Sequence, residues 1–347
     1  MPRIVCTLAI VLLLPGCGGH GTTERSAPQG PTHDAQRPIP LRQLAGAPIV
    51  FSFSGTTLPA YARDILRKGR AAGVILFGDN VTSAGQLRAL TRSIRRASGG
   101  HALICTDQEG GPVRTVRFAA PARAPAQQGN PALAYASARA AAHQVRRLGV
   151  DVVLAPVLDV ARLGAALAGR AYPGGPAEVA RLGVAALRGY RAGGVKATAK
   201  HFPGLGAAAR NTDDAPVTTT ADLGPFRAAI ATGVPLVMVS HGLYPALDPG
   251  HVASQSRAIV TGLLRRRLGF RGAIITDSLE ARAVLARSTV ATAAARSLAA
   301  GADLVLLTGP GSYPHVYRRL LREARRSPAF RARLRAAGVR VQSTIAR

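Results

Sequence analysis

The chain has 347 residues, of which 47% are hydrophobic and 18% charged. This is enough apolar material for a large core, which excludes a disordered protein and a small disulfide-held scaffold. The net charge of +28 would ordinarily suggest a polyanionic partner. Only three of the 45 basic residues are lysines, however, and a bias toward Arg, Ala and Gly explains the excess more simply. With 4% aromatic residues and no RNA-binding motif, we expect no nucleic-acid partner.

The N-terminus has the pattern of a secretory signal. Arg3 precedes an apolar run, Ile4–Leu14, that is too short to span a bilayer. Leu14-Pro-Gly-Cys17 is similar to a bacterial lipobox, in which the cysteine becomes the lipidated first residue. We therefore expect residues 1–17 to be a signal peptide, with the protein lipid-anchored through Cys17 outside the cytoplasmic membrane. An ordinary cleaved signal is the alternative.

Residues 18–45 are rich in Gly, Pro, Ser, Thr and Gln and show no helical or strand periodicity. A segment of this composition cannot bury a core, because it has too little apolar surface to offset the entropy lost on ordering. The sequence predicts a flexible tether here, followed by one domain over residues 46–347.

Eight short apolar runs predict buried parallel strands. They are Pro48–Phe53, Gly73–Phe77, Ala102–Thr106, Asp151–Ala155, Lys196–Ala199, Pro235–Ser240, Ala273–Thr276 and Asp303–Leu307. Helical patterns lie between or after these runs, at Ser83–Ala97, Ala134–Leu148, Pro176–Ala192, Ala258–Leu268 and Leu279–Ala300, and one or two basic helices are expected in the tail from Pro314. Eight strand-helix units predict an α/β fold, a single-domain (β/α)8 TIM barrel. A doubly wound open sheet is the rival, but no GxGxxG turn follows the first strand.

The few carboxylates of the chain favour one end of this barrel. Asp107, Asp159 and Asp277 end or follow predicted strands, and Asp213 and Asp214 lie in the loop after the fifth. The carboxyl ends of barrel strands form the reactive face. Carboxylates beside Lys200, His201 and Arg170 suit a sugar, whose oxocarbenium-like transition state needs a negative neighbour. Salt bridges at the barrel rim are the alternative, and Asp151 and Asp303 are expected to have such a structural role at the opposite rim.

Six motifs stand in order along residues 46–310. They are Gly73-Val-Ile-Leu-Phe-Gly78, Asp107-Gln-Glu-Gly-Gly111, Ala155-Pro-Val-Leu-Asp159, Lys200-His-Phe-Pro-Gly204, Tyr244-Pro-Ala-Leu-Asp248 and Ile275-Thr-Asp-Ser-Leu279. Together they resemble glycoside hydrolase family 3, specifically its single-domain bacterial β-N-acetylhexosaminidases. The resemblance implies a (β/α)8 barrel, in agreement with the strand count.

The resemblance also implies roles for individual residues. Asp277 would be the nucleophile that forms a glycosyl-enzyme intermediate, and Asp107, Arg170, Lys200 and His201 would hold sugar hydroxyls. A carboxylate beside Lys and Arg stays ionised, as a nucleophile must.

One departure from the family pattern concerns the acid/base. Related single-domain members carry an Asp-Ser-His triplet on a loop, whereas this chain has Asn211-Thr212-Asp213 at that spacing. Asp213 or Asp214 could replace the missing imidazole, since a desolvated carboxyl can keep its proton near neutral pH. A structural turn before Pro216 is the alternative reading of this acidic pair. Glu109 is a further carboxyl nearby, with an expected structural role.

These features predict a retaining exo-glycosidase that releases terminal β-linked N-acetylglucosamine from cell-wall sugars, with a carbohydrate as its partner and no metal or cofactor. Three alternatives stay open. The barrel could be a β-glucosidase acting on other glycans, or it could bind glycan with little turnover, as the missing imidazole suggests. The charge excess would also fit a lipoprotein that docks onto an anionic cell-wall polymer.

Overall fold

The structure is a computed structural model that describes residues 39–346. The expected signal peptide, Cys17 and residues 18–38 of the expected tether lie outside this range. Among the described residues, no helix has the length and apolar character needed to cross a membrane.

Eight parallel strands close into a barrel. They are β1 (Ile49–Phe51), β2 (Gly73–Leu76), β3 (Leu103–Thr106), β4 (Val152–Val153), β5 (Lys196–Phe202), β6 (Leu236–Val239), β7 (Ala273–Ser278) and β8 (Leu304–Leu307). Each strand pairs with its neighbour in sequence, and β8 returns to β1, with Val305 opposite Ile49. All eight predicted strands and the predicted TIM barrel are thereby confirmed.

The helices surround this barrel. They are α1 (Leu41–Gly46), α2 (Ala60–Arg67), α3 (Ala84–Ser98), α4 (Pro131–Arg147), α5 (Pro176–Gly193), α6 (Gly224–Ala231), α7 (Arg282–Leu285), α8 (Val290–Ala300), α9 (Ser312–Arg326) and α10 (Pro328–Ala346). A helix with wider π turns spans Ala258–Arg267, and 3-10 turns lie at Gly78–Asn80, Pro125–Gln127 and Ala253–Gln255. Two pairs of short antiparallel strands lie in the loops, Gln108–Gly110 with Val113–Arg114 and Leu243–Tyr244 with Asp248–Val252.

Because successive side chains of a strand point to opposite faces of the sheet, the hydrophobic core has two parts. Val50, Ile75, Cys105 and Met238 belong to a cluster inside the barrel, whereas side chains such as Phe51 pack outward against the helices. An eight-stranded barrel has an interior just wide enough for side chains to fill, so reactive groups must lie at its ends.

Two boundaries differ from expectation. Residues 41–45, expected to end the tether, belong to α1, where Leu44 and Ala45 are buried. The predicted single helix Leu279–Ala300 is wrong, because α7 ends at Leu285 and Thr289 starts α8 by accepting a bond from the Thr292 backbone N–H at 3.3 Å.

Candidate active site

Lys200, near the end of β5, joins two carboxylates at the mouth of the barrel. Its Nζ lies 2.7 Å from Asp107 Oδ1 and 2.6 Å from Glu109 Oε1. The Lys200 side chain is only 3% exposed. Burial alone would lower the pKa of Lys200, but the charges of Asp107 and Glu109 outweigh it and raise that pKa. Lys200 is therefore a fixed positive charge beside Asp107, which keeps partial access to solvent.

Glu109 connects this pair to Arg170. Its fully buried carboxylate accepts two bonds from the Arg170 guanidinium, at 2.9 and 2.6 Å. Burial would raise the pKa of Glu109, but Lys200 and Arg170 overcome that effect and hold it at about 2. Glu109 is an anchor that orients two cations at the mouth, in keeping with the structural role expected for it.

His201 is positioned by Asp159. The Asp159 carboxylate lies 2.6 Å from His201 Nδ1 and accepts a 2.6 Å bond from the Leu205 backbone N–H. It also accepts from the His201 backbone N–H at 3.2 Å. Both side chains are buried, so the imidazole is fixed in orientation with its Nδ1 committed to the carboxylate.

Asp277 lies in β7 near its carboxyl end and is half-buried. Its Oδ1 accepts a 2.8 Å bond from the Ser278 backbone N–H. Burial alone would raise the pKa of Asp277, but electrostatic interactions with the His201 and Lys200 side chains, together with the bond from the Ser278 N–H, contribute to lowering it below its usual value. Asp277 is therefore an ionised carboxylate with access to the mouth.

His241 supports the backbone around Asp277. It is completely buried, with Nε2 2.8 Å from the Ser278 carbonyl oxygen and Nδ1 2.8 Å from Ser254 Oγ. Burial lowers the pKa of His241, which favours the neutral ring. A neutral ring must carry its proton on Nε2 to donate to a carbonyl, so Nδ1 accepts from Ser254.

The acidic loop after β5 is attached to the start of α7. The Arg282 and Ala283 backbone N–H groups donate to the carbonyl oxygens of Asp213 and Thr212, at 3.2 and 3.0 Å. These bonds give partners to two of the first N–H groups of α7, which have none within the helix itself. They also hold the loop next to the segment that follows Asp277.

Asp213 has the opposite protonation tendency to Asp277. Although much of the Asp213 residue is exposed, desolvation of its carboxyl and then the negative charge of Asp277 raise its pKa to about 6. Two carboxyl groups whose environments separate their pKa values in this way are typical of an acid and a nucleophile.

The sequence-predicted residues thus occupy one mouth, though not as independent groups. Asp107, Arg170 and Lys200 share one ion-pair network through Glu109. Sequence reasoning missed this central position of Glu109, as well as the support that His241 gives to Ser278. Within residues 39–346 no group of three His, Cys, Asp or Glu side chains is placed to hold a metal ion.

A (β/α)8 barrel whose mouth pairs an ionised carboxylate with a second carboxyl of raised pKa has the arrangement of a glycoside hydrolase. Comparison with known proteins agrees. The model of the glycosyl hydrolase family 3 N-terminal domain matches residues 49–344. The chain is 38% identical over 280 residues to a β-hexosaminidase of Xanthomonas campestris pv. campestris, with 76% of this chain and 84% of that protein covered.

Solved structures give the same assignment. A family 3 β-N-acetylglucosaminidase from Paenibacillus superimposes with a TM-score of 0.83 at 31% identity, covering 89% of this chain but only 63% of that one. A β-N-acetylhexosaminidase from Beutenbergia cavernae gives 0.82 at 30% identity and is covered over 99% of its length. The chain belongs to glycosyl hydrolase family 3 and is a glycoside hydrolase.

Proposed function

We propose that this protein is a retaining exo-β-N-acetylglucosaminidase. The observation that carries the proposal is the position of two carboxyl groups. Asp277 lies near the carboxyl end of β7, and backbone bonds hold the loop of Asp213 to the start of α7, the segment that follows Asp277. The lowered pKa of Asp277 and the raised pKa of Asp213, about 6, agree with the roles of nucleophile and acid. The choice of sugar is supported by the relatives, which are named β-hexosaminidase and β-N-acetylglucosaminidase.

The proposed reaction has two steps. The Asp277 carboxylate attacks the anomeric carbon while Asp213 gives its proton to the departing glycosidic oxygen, so that a glycosyl-aspartate forms and the aglycone leaves as an alcohol. Asp213, now a carboxylate, then removes a proton from water, which displaces Asp277 from the anomeric carbon. The sugar leaves with its original β configuration.

Binding of the sugar is assigned to the polar groups around the nucleophile. Asp107 keeps a partly exposed carboxylate that can accept from a hydroxyl, Lys200 and Arg170 supply donors, and His201 presents its Nε2. The Glu109 anchor holds two of these donors in place before substrate arrives, which lowers the entropy lost on binding.

Asp213 is preferred to Asp214 as the acid/base. The raised pKa belongs to Asp213 and arises partly from Asp277, and its backbone is bonded to α7 next to the nucleophile. Asp213 also stands where related enzymes carry a loop imidazole.

The cellular setting is a further part of the proposal. The Leu14-Pro-Gly-Cys17 sequence supports lipidation and an envelope location, with cell-wall sugars as substrates. The net charge of +28 supports an anionic wall polymer as an additional partner. Incorporation of labelled palmitate into the wild type but not into Cys17→Ser would support the anchor, and equal incorporation would contradict it.

Hydrolysis of an aryl β-N-acetylglucosaminide tests the enzymatic proposal. Wild type and a Glu323→Gln control, altered in a half-buried ion pair on α9, should turn over, while Asp277→Ala should not. The missing imidazole favours a second candidate, a glycan-binding barrel. Retained sugar binding without turnover by the wild type would favour that candidate and contradict the proposal.

A further inference from the structure

A second concave site lies at the end of the barrel opposite the candidate active site. A cavity of about 610 Å³ opens where Lys196 begins β5, Pro235 precedes β6 and Gly272 precedes β7. The C-terminal end of α5 and Thr344 of α10 complete its walls. Its volume is within the range of small-molecule sites.

The lining of this cavity is strongly basic. Five of its side chains are cationic and none is acidic; the cations are Arg146, Arg188, Arg191, Lys196 and Arg271. No carboxylate in residues 39–346 forms an ion pair with any of them. Surface arginines spread by compositional bias would not by themselves gather around one cavity.

Two of the five cations are held in place by backbone oxygens. Arg146 donates to the Gly194 carbonyl at 3.1 Å, and Arg191 donates to the Thr232 carbonyl. These carbonyls lie at the C-terminal ends of α5 and α6, whose dipoles offset about half a charge each. Arg188, Lys196 and Arg271 make no side-chain hydrogen bond within the described part of the chain, so their donors are available.

The neighbouring ion pairs do not supply the missing negative charge. Asp303, buried at the same end of the barrel, is the carboxylate partner of three arginines, Arg265, Arg333 and Arg340. Burial, and then the other cations including Arg271, lower the pKa of Arg265 to about 10. An excess of positive charge thus extends from this cluster to the cavity.

We propose that this basic cavity is a binding site for a phosphate group, separate from the active site. Guanidinium groups match phosphate oxygens in bidentate geometry, and Lys196 adds a half-buried point charge. Thr344, whose hydroxyl donates to no group among the described residues, can supply a further donor in the lining. The phosphate can belong to a small monoester or to the diester chain of a polymer, and the inference does not depend on the hydrolytic activity.

Calorimetric titration of the full chain at physiological salt tests this site. The probes are sn-glycerol 3-phosphate, a monoester, and poly(glycerol phosphate), a diester, so the two arms distinguish the source of the phosphate. The test variant combines Arg188→Gln, Lys196→Gln and Arg271→Gln. The control combines Arg88→Gln, Arg92→Gln and Arg96→Gln, which remove the same charge from the exposed face of α3.

We expect saturable binding of at least one probe by the wild type and the control, with Kd agreeing within about twofold. The cavity variant should bind about tenfold more weakly or worse, because three charge-assisted contacts are lost. Absence of saturable binding, or equal weakening in both triple variants, would overturn the proposal, since the second result would mean general charge attraction. If thermal unfolding shows that the cavity variant does not fold, Arg188→Gln and Arg271→Gln are tested singly, each with a smaller loss expected.

Discussion

Lys200 and Glu109 form an ion pair of 2.6 Å in which the two side chains are 3% and 0% exposed. Neither charge has much contact with water, so each depends on the other and on Arg170 and Asp107 for compensation. A buried pair of this kind fixes geometry more than it adds stability, but it is costly to break.

Replacement of Glu109 by Gln should therefore destabilise the protein by about 3–5 kcal/mol at pH 7, because Lys200 and Arg170 lose the carboxylate between them. Urea unfolding measures this difference. Glu178→Gln, which breaks an exposed pair with Arg181, is the matched control and should change the free energy of unfolding little. Equal effects of the two substitutions would contradict the anchoring role of Glu109.

The same variant has a predictable pH dependence. The pKa of Glu109 is about 2 in the folded protein, below that of an unfolded glutamate, so its stabilising contribution is complete above about pH 5. It is lost as the pH falls toward 2. The difference in free energy of unfolding between wild type and Glu109→Gln should shrink over this range, and a difference independent of pH would contradict the assignment.

Asp213→Asn tests the acid/base. A general acid with a pKa of about 6 must be protonated to act, so the wild-type rate on a natural β-N-acetylglucosaminide should fall above pH 6. Asp213→Asn should lack this alkaline limb, the decline in rate above pH 6, and should hydrolyse that substrate about 10²–10⁴-fold more slowly than the wild type. The effect on an activated aryl glycoside should be much smaller. The profile of kcat/KM against pH measures both effects.

Asp214→Asn is the neighbouring control for this experiment. It should keep the decline in rate at alkaline pH, moved slightly toward lower pH because the Asp214 charge contributes to raising the pKa of Asp213. If Asp214→Asn removes the limb and Asp213→Asn does not, the roles of the two residues are reversed. Equal slowing of natural and activated substrates by Asp213→Asn would remove the acid role from this residue.

Asp303→Asn should separate stability from catalysis. Asp303 is completely buried at the end of the barrel away from Asp277, where it compensates arginines of α10 and of the helix Ala258–Arg267. Its loss should destabilise the protein by about 3–5 kcal/mol, while kcat at 25 °C stays near that of the wild type. A variant with the stability of the wild type and a reduced kcat would contradict the assignment of Asp303 to stability alone.

The eight strands could be predicted because their signal is local. A parallel barrel strand is covered on both sides, so each appears as a short apolar run between polar segments. Asp151 and Asp303, expected to be structural, indeed pair with Arg95 and with three arginines at the far end of the barrel.

The contacts that organise the site depend on residues far apart in sequence. Glu109 meets Arg170 across 61 residues, and the Asp213 carbonyl accepts from the Arg282 N–H at the start of α7, 69 positions further along the chain. The hydrophobic periodicity that identifies helices and strands carries no information about contacts between residues so far apart in sequence. The basic cavity could not be predicted from the sequence for a related reason. In a chain with 42 arginines, the sequence does not show which few of them line one cavity.

The most direct test of the mechanism is to trap the glycosyl-enzyme. The protein is incubated with a 5-fluoro-β-N-acetylglucosaminyl fluoride, which slows breakdown of the intermediate, then digested and analysed by mass spectrometry. We predict the added sugar mass on the peptide that contains Asp277 and its absence in Asp277→Asn. A label on another carboxylate, or steady hydrolysis by Asp277→Asn, would contradict the account.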